Sequence, residues 1–69
     1  MTEQGTVRWF SKLRGYGFIL ARDGTELFVH FSDIQMDGYR NLEEGERVSF
    51  VRVDAGKGPK AERVRPVRR

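Results

Sequence analysis

In Lys12-Leu13-Arg14-Gly15-Tyr16-Gly17-Phe18-Ile19, glycine alternates with aromatic rings directly after two cations. Successive side chains of a strand point to opposite faces, so Tyr16 and Phe18 share one face while the glycines and Ile19 share the other. Glycine weakens a strand unless the chain bends or another backbone comes close. The stretch therefore predicts a coiled strand of the kind that closes a barrel, running from Gly15 to Arg22.

A second alternating segment, Glu26–Phe31, follows this strand after the turn dipeptide Asp23-Gly24. Both turn positions tolerate a positive φ, so the dipeptide favours a tight hairpin. The segment has an aliphatic face with Leu27, Val29 and Phe31, and an opposite face with Phe28 and His30. Antiparallel pairing sets the Tyr16/Phe18 face beside the Phe28/His30 face. The hairpin therefore predicts one aromatic patch across two strands.

The first strand, Gly5–Ser11, contains a conflict of parity. Alternation places Val7 with Trp9 and Arg8 with Phe10. Either a large ring faces away from the core, or a bulge breaks the alternation. The residues of this strand are compatible with both arrangements.

Two further strands are predicted near the end of the chain. Arg47–Val53 predicts a strand with a bulge or strong coil near Phe50, because the valines after this ring are out of phase with Val48. Lys60–Arg65 predicts a short basic strand that ends at Pro66.

The segment between the third and fourth strands lacks a strand pattern. Residues 32–34 fit a short helical turn capped by Ser32 or Asp33, with Ile34 beneath the barrel. Tyr39 lies outside any alternating pattern and is either a loop anchor or a further ring of the aromatic patch.

The aromatic face of the hairpin is expected to point outward. Six of the eight aromatic residues fall between residues 9 and 31, and the aliphatic face of the same two strands has no polar or cationic member. A domain of this size has one small core, so the aliphatic face takes it. Contiguous exposed apolar surface of this kind marks a binding site. The alternative is that the rings form the core.

The chain carries a net charge of +3 that is unevenly distributed. Residues 1–18 have three cations against one acid, residues 57–69 have six against one, and residues 19–56 have four against eight. A basic strip beside an acidic remainder indicates an anionic polymer docked on one surface. The alternative is that these charges only solvate the exterior.

The 69 residues predict a single domain, 1–69, in which residues 66–69 form a flexible basic tail. A chain this short buries only about 60 % of its unfolded surface, which argues against a large catalytic cavity. The absence of cysteine excludes disulfides and thiolate metal sites, and we expect no metal, cofactor or small-molecule substrate. No apolar run resembles a signal peptide or a membrane span, so we expect a soluble cytoplasmic protein, monomeric and without membrane contact.

Five short strands separated by turns predict an all-β barrel. Two motifs then identify a family resemblance: Arg-Gly-Tyr-Gly-Phe-Ile at residues 14–19 and Leu-Phe-Val-His-Phe at residues 27–31. They look like the first and second ribonucleoprotein motifs of the bacterial cold-shock proteins, which the chain resembles from residue 5 to residue 67. The opening strand and the Gly-Pro-Lys-Ala turn at residues 58–61 are similar to that family as well.

The resemblance implies a five-stranded antiparallel OB-fold barrel that binds single-stranded RNA or DNA with low sequence specificity. It implies base stacking by Trp9, Phe10, Tyr16, Phe18, Phe28, His30, Phe31 and Tyr39. It implies contact with the nucleic-acid backbone by Arg8, Lys12, Arg14 and Lys57. The family further implies an RNA chaperone or a regulator of transcription or translation in the stress response.

Three other classes of protein fit the sequence less well. An RNA-recognition-motif domain needs two helices and places the short motif before the long one, whereas here the order is reversed. A peptide-binding barrel of the SH3 type also has an aromatic groove, but it would not need flanking cations. An enzyme fits least, because His30 is the sole histidine and its aromatic neighbours favour stacking over catalysis, so no catalytic residue is expected.

Overall fold

The computed structural model describes residues 2–35 and 42–67, which form five strands and one 3₁₀ turn. The elements are β1 (Glu3–Ser11), β2 (Tyr16–Ala21), β3 (Glu26–His30), the 3₁₀ turn (Phe31–Asp33), β4 (Arg47–Ala55) and β5 (Gly58–Pro66). All five predicted strands are present, and β1, β4 and β5 extend beyond their predicted ends. Among the described residues, no helix is long and apolar enough to cross a bilayer.

The strands close into a barrel in the order β1-β2-β3-β5-β4. Four of the pairs are antiparallel: β1 with β2, β1 with β4, β2 with β3 and β4 with β5. The β3–β5 pair is parallel and joins Phe28 to Lys60. The closed five-stranded barrel is confirmed, but its predicted antiparallel pairing fails at this pair. A closed ring with an odd number of strands cannot alternate direction all the way round, so one pair has to be parallel.

Strand alternation sorts the side chains between the barrel interior and its outer surface. The buried apolar residues are Val7, Ile19, Ala21, Leu27, Val29, Ile34, Leu42, Val48, Phe50, Ala61 and Val64. On β2, Ile19 and Ala21 are buried, whereas Tyr16, Phe18 and Leu20 are half-buried on the outer face. The predicted facing of the hairpin is confirmed except at Phe31, which alternation placed with Leu27 and Val29 but which lies past the end of β3 and is 44 % exposed.

A bulge in β1 resolves the conflict of parity. Val7 pairs with Ile19 and Trp9 pairs with Phe18, so Arg8 is an extra residue on this strand. The insertion lets Val7 point into the barrel and Trp9 point out of it, with 42 % of the Trp9 surface exposed. Of the two arrangements that the sequence allowed, the bulge is the one adopted.

A second irregularity lies between β4 and β5. The pairing shifts next to Phe50, because Ser49 pairs with Arg65 and Val51 pairs with Glu62. The predicted irregularity near Phe50 is therefore present, but the extra residue lies on β5 rather than on β4. Arg63, between these β5 residues, has a φ of 52°, in the left-handed region that non-glycine residues rarely occupy. The extra residue lets Ala61 and Val64, three residues apart on β5, both lie in the barrel interior.

Two glycines beneath the aromatic rings meet different requirements. A Cβ at Gly17 would collide with the Trp9 carbonyl oxygen and lie 2.6 Å from the Phe10 Cα. Gly17 therefore permits β1 and β2 to approach more closely than a side chain would allow. Gly15 has a φ of +82°, and its Cβ would lie 3.0 Å from the ring of Phe31. Gly15 thus serves the turn into β2.

His30 caps the 3₁₀ turn, in place of the predicted Ser32 or Asp33. Its Nδ1 accepts a hydrogen bond from the Ser32 backbone N–H at 3.2 Å. The prediction was wrong because His30 is the last extended residue before the turn, from where its ring reaches an otherwise unpaired N–H. Ile34 is buried after the turn, as predicted.

An ion cluster centred on Arg52 ties together β1, β4 and the β2–β3 turn. The Arg52 guanidinium donates to both Glu3 carboxylate oxygens at 2.9 Å and to Asp23 Oδ2 at 3.2 Å. Asp23 Oδ1 also accepts from the Thr25 backbone N–H at 3.0 Å. Hydrogen bonds from Thr25, and next from Arg52, lower the pKa of the Asp23 carboxyl to about 2.

The beginning of the predicted basic tail is paired with the sheet. Pro66 is the last residue of β5 and pairs with Val48. The Val67 backbone N–H donates to the Arg47 carbonyl at 3.0 Å. Residues 68–69 lie outside the described residues.

Candidate nucleic-acid interface

Four aromatic side chains form a continuous cluster on the outer surface of β1, β2 and β3. We call this set, Trp9, Tyr16, Phe18 and Phe28, the ring cluster. The Trp9 centroid lies 5.8 Å from Tyr16 and 5.5 Å from Phe18, and the Phe28 centroid lies 5.7 Å from Tyr16 and 5.9 Å from Phe18. Each ring therefore touches two others, at separations typical of attractive aromatic pairs.

Strand pairing explains why the four rings meet. Phe18 on β2 pairs with Trp9 on β1 and with Phe28 on β3, so these three side chains form one row across the sheet. Tyr16 lies two residues before Phe18 on the same face of β2 and completes the set. The bulge at Arg8 is essential, because without it Trp9 would point into the barrel.

The ring cluster remains partly open to solvent. Trp9 is 42 % exposed and Phe28 is 36 % exposed, although both could in principle be core residues by their size. Exposed aromatic rings in contact with one another form an apolar surface of the kind that binds ligands.

His30 and Phe31 extend this surface. His30 is the strand partner of Tyr16, and its ring centroid lies 4.7 Å from that of Phe31. Phe31 is 44 % exposed. His30 Nδ1 lies 2.8 Å from Ser32 Oγ and 3.2 Å from the Ser32 backbone nitrogen. These two contacts hold the ring in its orientation beside Phe31.

Cationic residues come from β1 and from the turn that joins β1 to β2. Arg8 precedes Trp9, and its Nε lies 3.4 Å from a Glu26 carboxylate oxygen. Lys12 and Arg14 are exposed in the turn that joins β1 to β2. Ser11 organises this turn, because its Oγ accepts from the Arg14 backbone N–H at 3.2 Å.

Comparison with known proteins relates this chain to a domain family. A family model described as the "'Cold-shock' DNA-binding domain" matches residues 3–67. The chain belongs to the cold-shock domain family. Members of this family bind single-stranded nucleic acids and are binding proteins rather than enzymes.

Two cold-shock proteins align with this chain along almost their whole length. The chain is 54 % identical to cold shock-like protein CspC of Bacillus cereus over 61 residues, covering 88 % of this chain and 94 % of that protein. It is 52 % identical to the cold shock-like protein of Aquifex aeolicus (strain VF5) over 66 residues, covering 94 % of both. A solved structure described as drosophila Unr CSD456 has a TM-score of 0.79 at 25 % identity, covering 99 % of this chain and 27 % of that longer one. The OB-fold prediction is confirmed.

Phe10 occupies a different place from the ring cluster of this cold-shock domain. It is half-buried and packs against the hydrophobic core, beside Gly17. Its predicted stacking role stays a prediction, and the structure gives it a packing role as well.

Lys57 and Tyr39 are the two remaining residues that were predicted to contact nucleic acid. Lys57 is exposed in the turn between β4 and β5. Tyr39 lies outside the described residues, so its predicted role as a stacking ring or loop anchor stays a prediction.

Lys60 is a residue that the sequence analysis did not assign to the interface of this cold-shock domain. It is the parallel-strand partner of Phe28, so this residue lies next to Phe28 in the sheet. Its Nζ lies 3.3 Å from Glu62 Oε2 and 3.8 Å from Asp33 Oδ2. No local pattern links Lys60 to Phe28, because only the closure of the barrel brings β3 and β5 together.

Within residues 2–35 and 42–67, no group of three or more histidine, aspartate or glutamate side chains is arranged to hold a metal ion. What the cold-shock domain offers here is a set of exposed π-faces with cations at their margin, which suits bases and phosphates respectively.

Proposed function

We propose that this protein binds single-stranded RNA or DNA with low sequence specificity by stacking bases on the ring cluster. The observation that supports the proposal most directly is the set of four mutually touching, outward-facing rings. Every base has a π-face, so such a surface accepts any sequence. His30 and Phe31 would take further bases along the same face.

The expected affinity follows from the number of stacks. Each stacked base is worth about 1–3 kcal/mol, so four stacks give roughly 4–12 kcal/mol before the ordering costs of the strand. After those costs, binding in the micromolar to nanomolar range is expected. Cations at the margin add attraction to phosphates and make the affinity depend on salt.

In the cell, this binding would act on nucleic-acid structure. A duplex hides its base faces, so the protein would bind only open strands and shift hairpins toward the open form. At a free protein concentration 100 times the Kd, the shift is worth about 2.7 kcal/mol. We therefore propose an RNA chaperone that works as a cytoplasmic monomer and regulates transcription or translation under stress.

The test compares Phe28→Ala with Val67→Ala, since Phe28 and Val67 have the same exposed fraction, 36 %, and Val67 lies outside the ring cluster. Each variant is titrated with an unstructured oligothymidylate, with circular dichroism to verify the fold. Phe28→Ala is expected to weaken binding by about 1–3 kcal/mol, or roughly 5- to 150-fold, while Val67→Ala binds like the wild type. Unchanged binding by a folded Phe28→Ala protein would contradict the proposal.

Trp9 fluorescence separates nucleic-acid binding from the SH3-like alternative. The indole is part of the ring cluster, so a base stacked there should quench its emission. We expect quenching by oligothymidylate that weakens as salt rises, and none by a proline-rich peptide. Quenching by the peptide alone would favour the peptide-binding alternative.

A further inference from the structure

A groove lies on the outer surface of the barrel beyond the ring cluster. It has a volume of about 260 Å³ and is lined by Gln4, Thr6, Leu20, Arg22 and Arg47, among others. The stacking proposal uses none of these residues. We call it the β1–β2–β4 groove.

The groove continues the surface that carries the rings. Leu20 follows Phe18 by two residues on the outward face of β2, an advance of about 6.6–6.8 Å along the strand. Thr6 on β1 is the pairing partner of Leu20, and Arg47 on β4 is the pairing partner of Thr6. These three outward residues form the next row of the sheet after the row that holds Phe18.

The charges on either side of Leu20 are opposite in sign. On the β3 side its pairing partner is Glu26, which is exposed and ion-paired with Arg8. On the β1–β4 side the groove has two exposed guanidinium groups, Arg22 and Arg47. No ion pair recorded within the described part of the chain involves either of them. A polyanion that leaves the ring cluster past Phe18 is therefore attracted toward β4 more than toward β3, where Arg8 offsets the charge of Glu26.

We propose that the β1–β2–β4 groove binds the backbone of the nucleotides that continue beyond those stacked on the ring cluster. Arg22 and Arg47 contact phosphates, and Leu20 provides an apolar wall for the sugar or base. The inference rests on the proposed function and extends it, because it makes the site longer than the ring cluster and sets the direction in which the strand leaves. It predicts that affinity keeps rising with oligonucleotide length after the rings are filled.

The experiment measures the binding of two oligothymidylates to the wild-type protein and to Arg22→Gln, Arg47→Gln and the double variant. The short one has about four nucleotides, at the lower end of OB-fold site sizes, and the long one has about eight. Arg63→Gln is the matched control, because Arg63 is exposed on β5 and does not line the groove. Arg47→Lys keeps the charge and tests whether the cation itself is needed. Thermal unfolding verifies that each variant is folded.

We expect the double variant to bind the long oligonucleotide more weakly, by about fivefold per removed charge, the effect of one unit-charge contact at 4 Å in water. Its salt slope should fall by about 0.7 per lost phosphate contact. The short oligonucleotide should bind all variants equally, and Arg47→Lys should retain most of the affinity. Equal binding of the long oligonucleotide by the double variant and the wild type would overturn the groove proposal and leave the stacking proposal intact. If the wild type bound neither length, both proposals would fail.

Discussion

Phe50 and Phe28 carry the same side chain in opposite environments of one barrel. Phe50 is fully buried in the interior, whereas Phe28 is 36 % exposed among the other outward rings. The interior of a 69-residue barrel is small, and the aliphatic residues together with Phe50 already fill it. The outward rings are therefore not needed to fill the core, so they should contribute more to ligand binding than to folding.

Replacing Phe50 by alanine should give the largest effect, and this effect should be a loss of folding stability alone. Truncating a buried phenylalanine costs about 3–5 kcal/mol, out of the roughly 3–10 kcal/mol available to a chain of this length. Urea denaturation of Phe50→Ala measures the loss, and Phe28→Ala is the paired variant, with an expected loss of about 1–2 kcal/mol from its ring contacts. Equal losses would remove the distinction between the interior and outward rings.

Replacing Gly17 by alanine should disturb both the barrel interior and the ring cluster, because Gly17 is buried under the row that holds Trp9. The new Cβ would collide with the Trp9 carbonyl oxygen. We expect a loss of about 1–3 kcal/mol in unfolding free energy, together with altered Trp9 fluorescence. Gly56→Ala is the control, since a Cβ there meets no atom within 4 Å. A wild-type stability for Gly17→Ala would show that the two strands do not need this close approach.

The barrel interior and the ring cluster also differ in how much of their structure the sequence predicts. The inward face of β2 and β3 follows from alternation and from its aliphatic residues, and so does the outward placement of Phe18 and Phe28. Local alternation cannot predict the bulge at Arg8, because the choice between bulge and reversed ring depends on which partner β1 finds. It also cannot predict that Lys60 lies beside Phe28, since this contact depends on barrel closure.

Replacing Glu62 by glutamine tests whether Lys60, at the margin of the ring cluster, lies on the path of the bound strand. The carboxylate lies 3.3 Å from Lys60 Nζ and competes with any phosphate that approaches this cation. Removing its charge should strengthen oligonucleotide binding by up to about 1 kcal/mol, with the largest gain at low salt. Glu43→Gln serves as a control for net charge. If Glu62→Gln gave no gain beyond that of Glu43→Gln, Lys60 would lie off the path of the strand.

The smallest predicted effect is the pH dependence of the stability that Asp23 contributes through the Arg52 cluster. The pKa of Asp23 is held at about 2, below its ordinary 3.8, so its stabilising contribution is present above about pH 4 and is lost as the pH falls through about 2. The difference in melting temperature between the wild type and Asp23→Asn should therefore shrink over that range. Asp54→Asn is the charge-matched control, and oligonucleotide binding at neutral pH should be unaffected by either change. A constant difference down to about pH 2 would contradict the assignment.

The most direct test of the two-sided barrel is nuclear magnetic resonance of the wild-type protein titrated with a short oligothymidylate. Chemical-shift changes should be largest at the rings of Trp9, Tyr16, Phe18 and Phe28, and small at the interior side chains of Ile19 and Phe50. That result would place the bases on the outward rings. Shifts confined to the Arg52 cluster, or ring-cluster resonances that do not move while the oligonucleotide binds, would contradict the central claim.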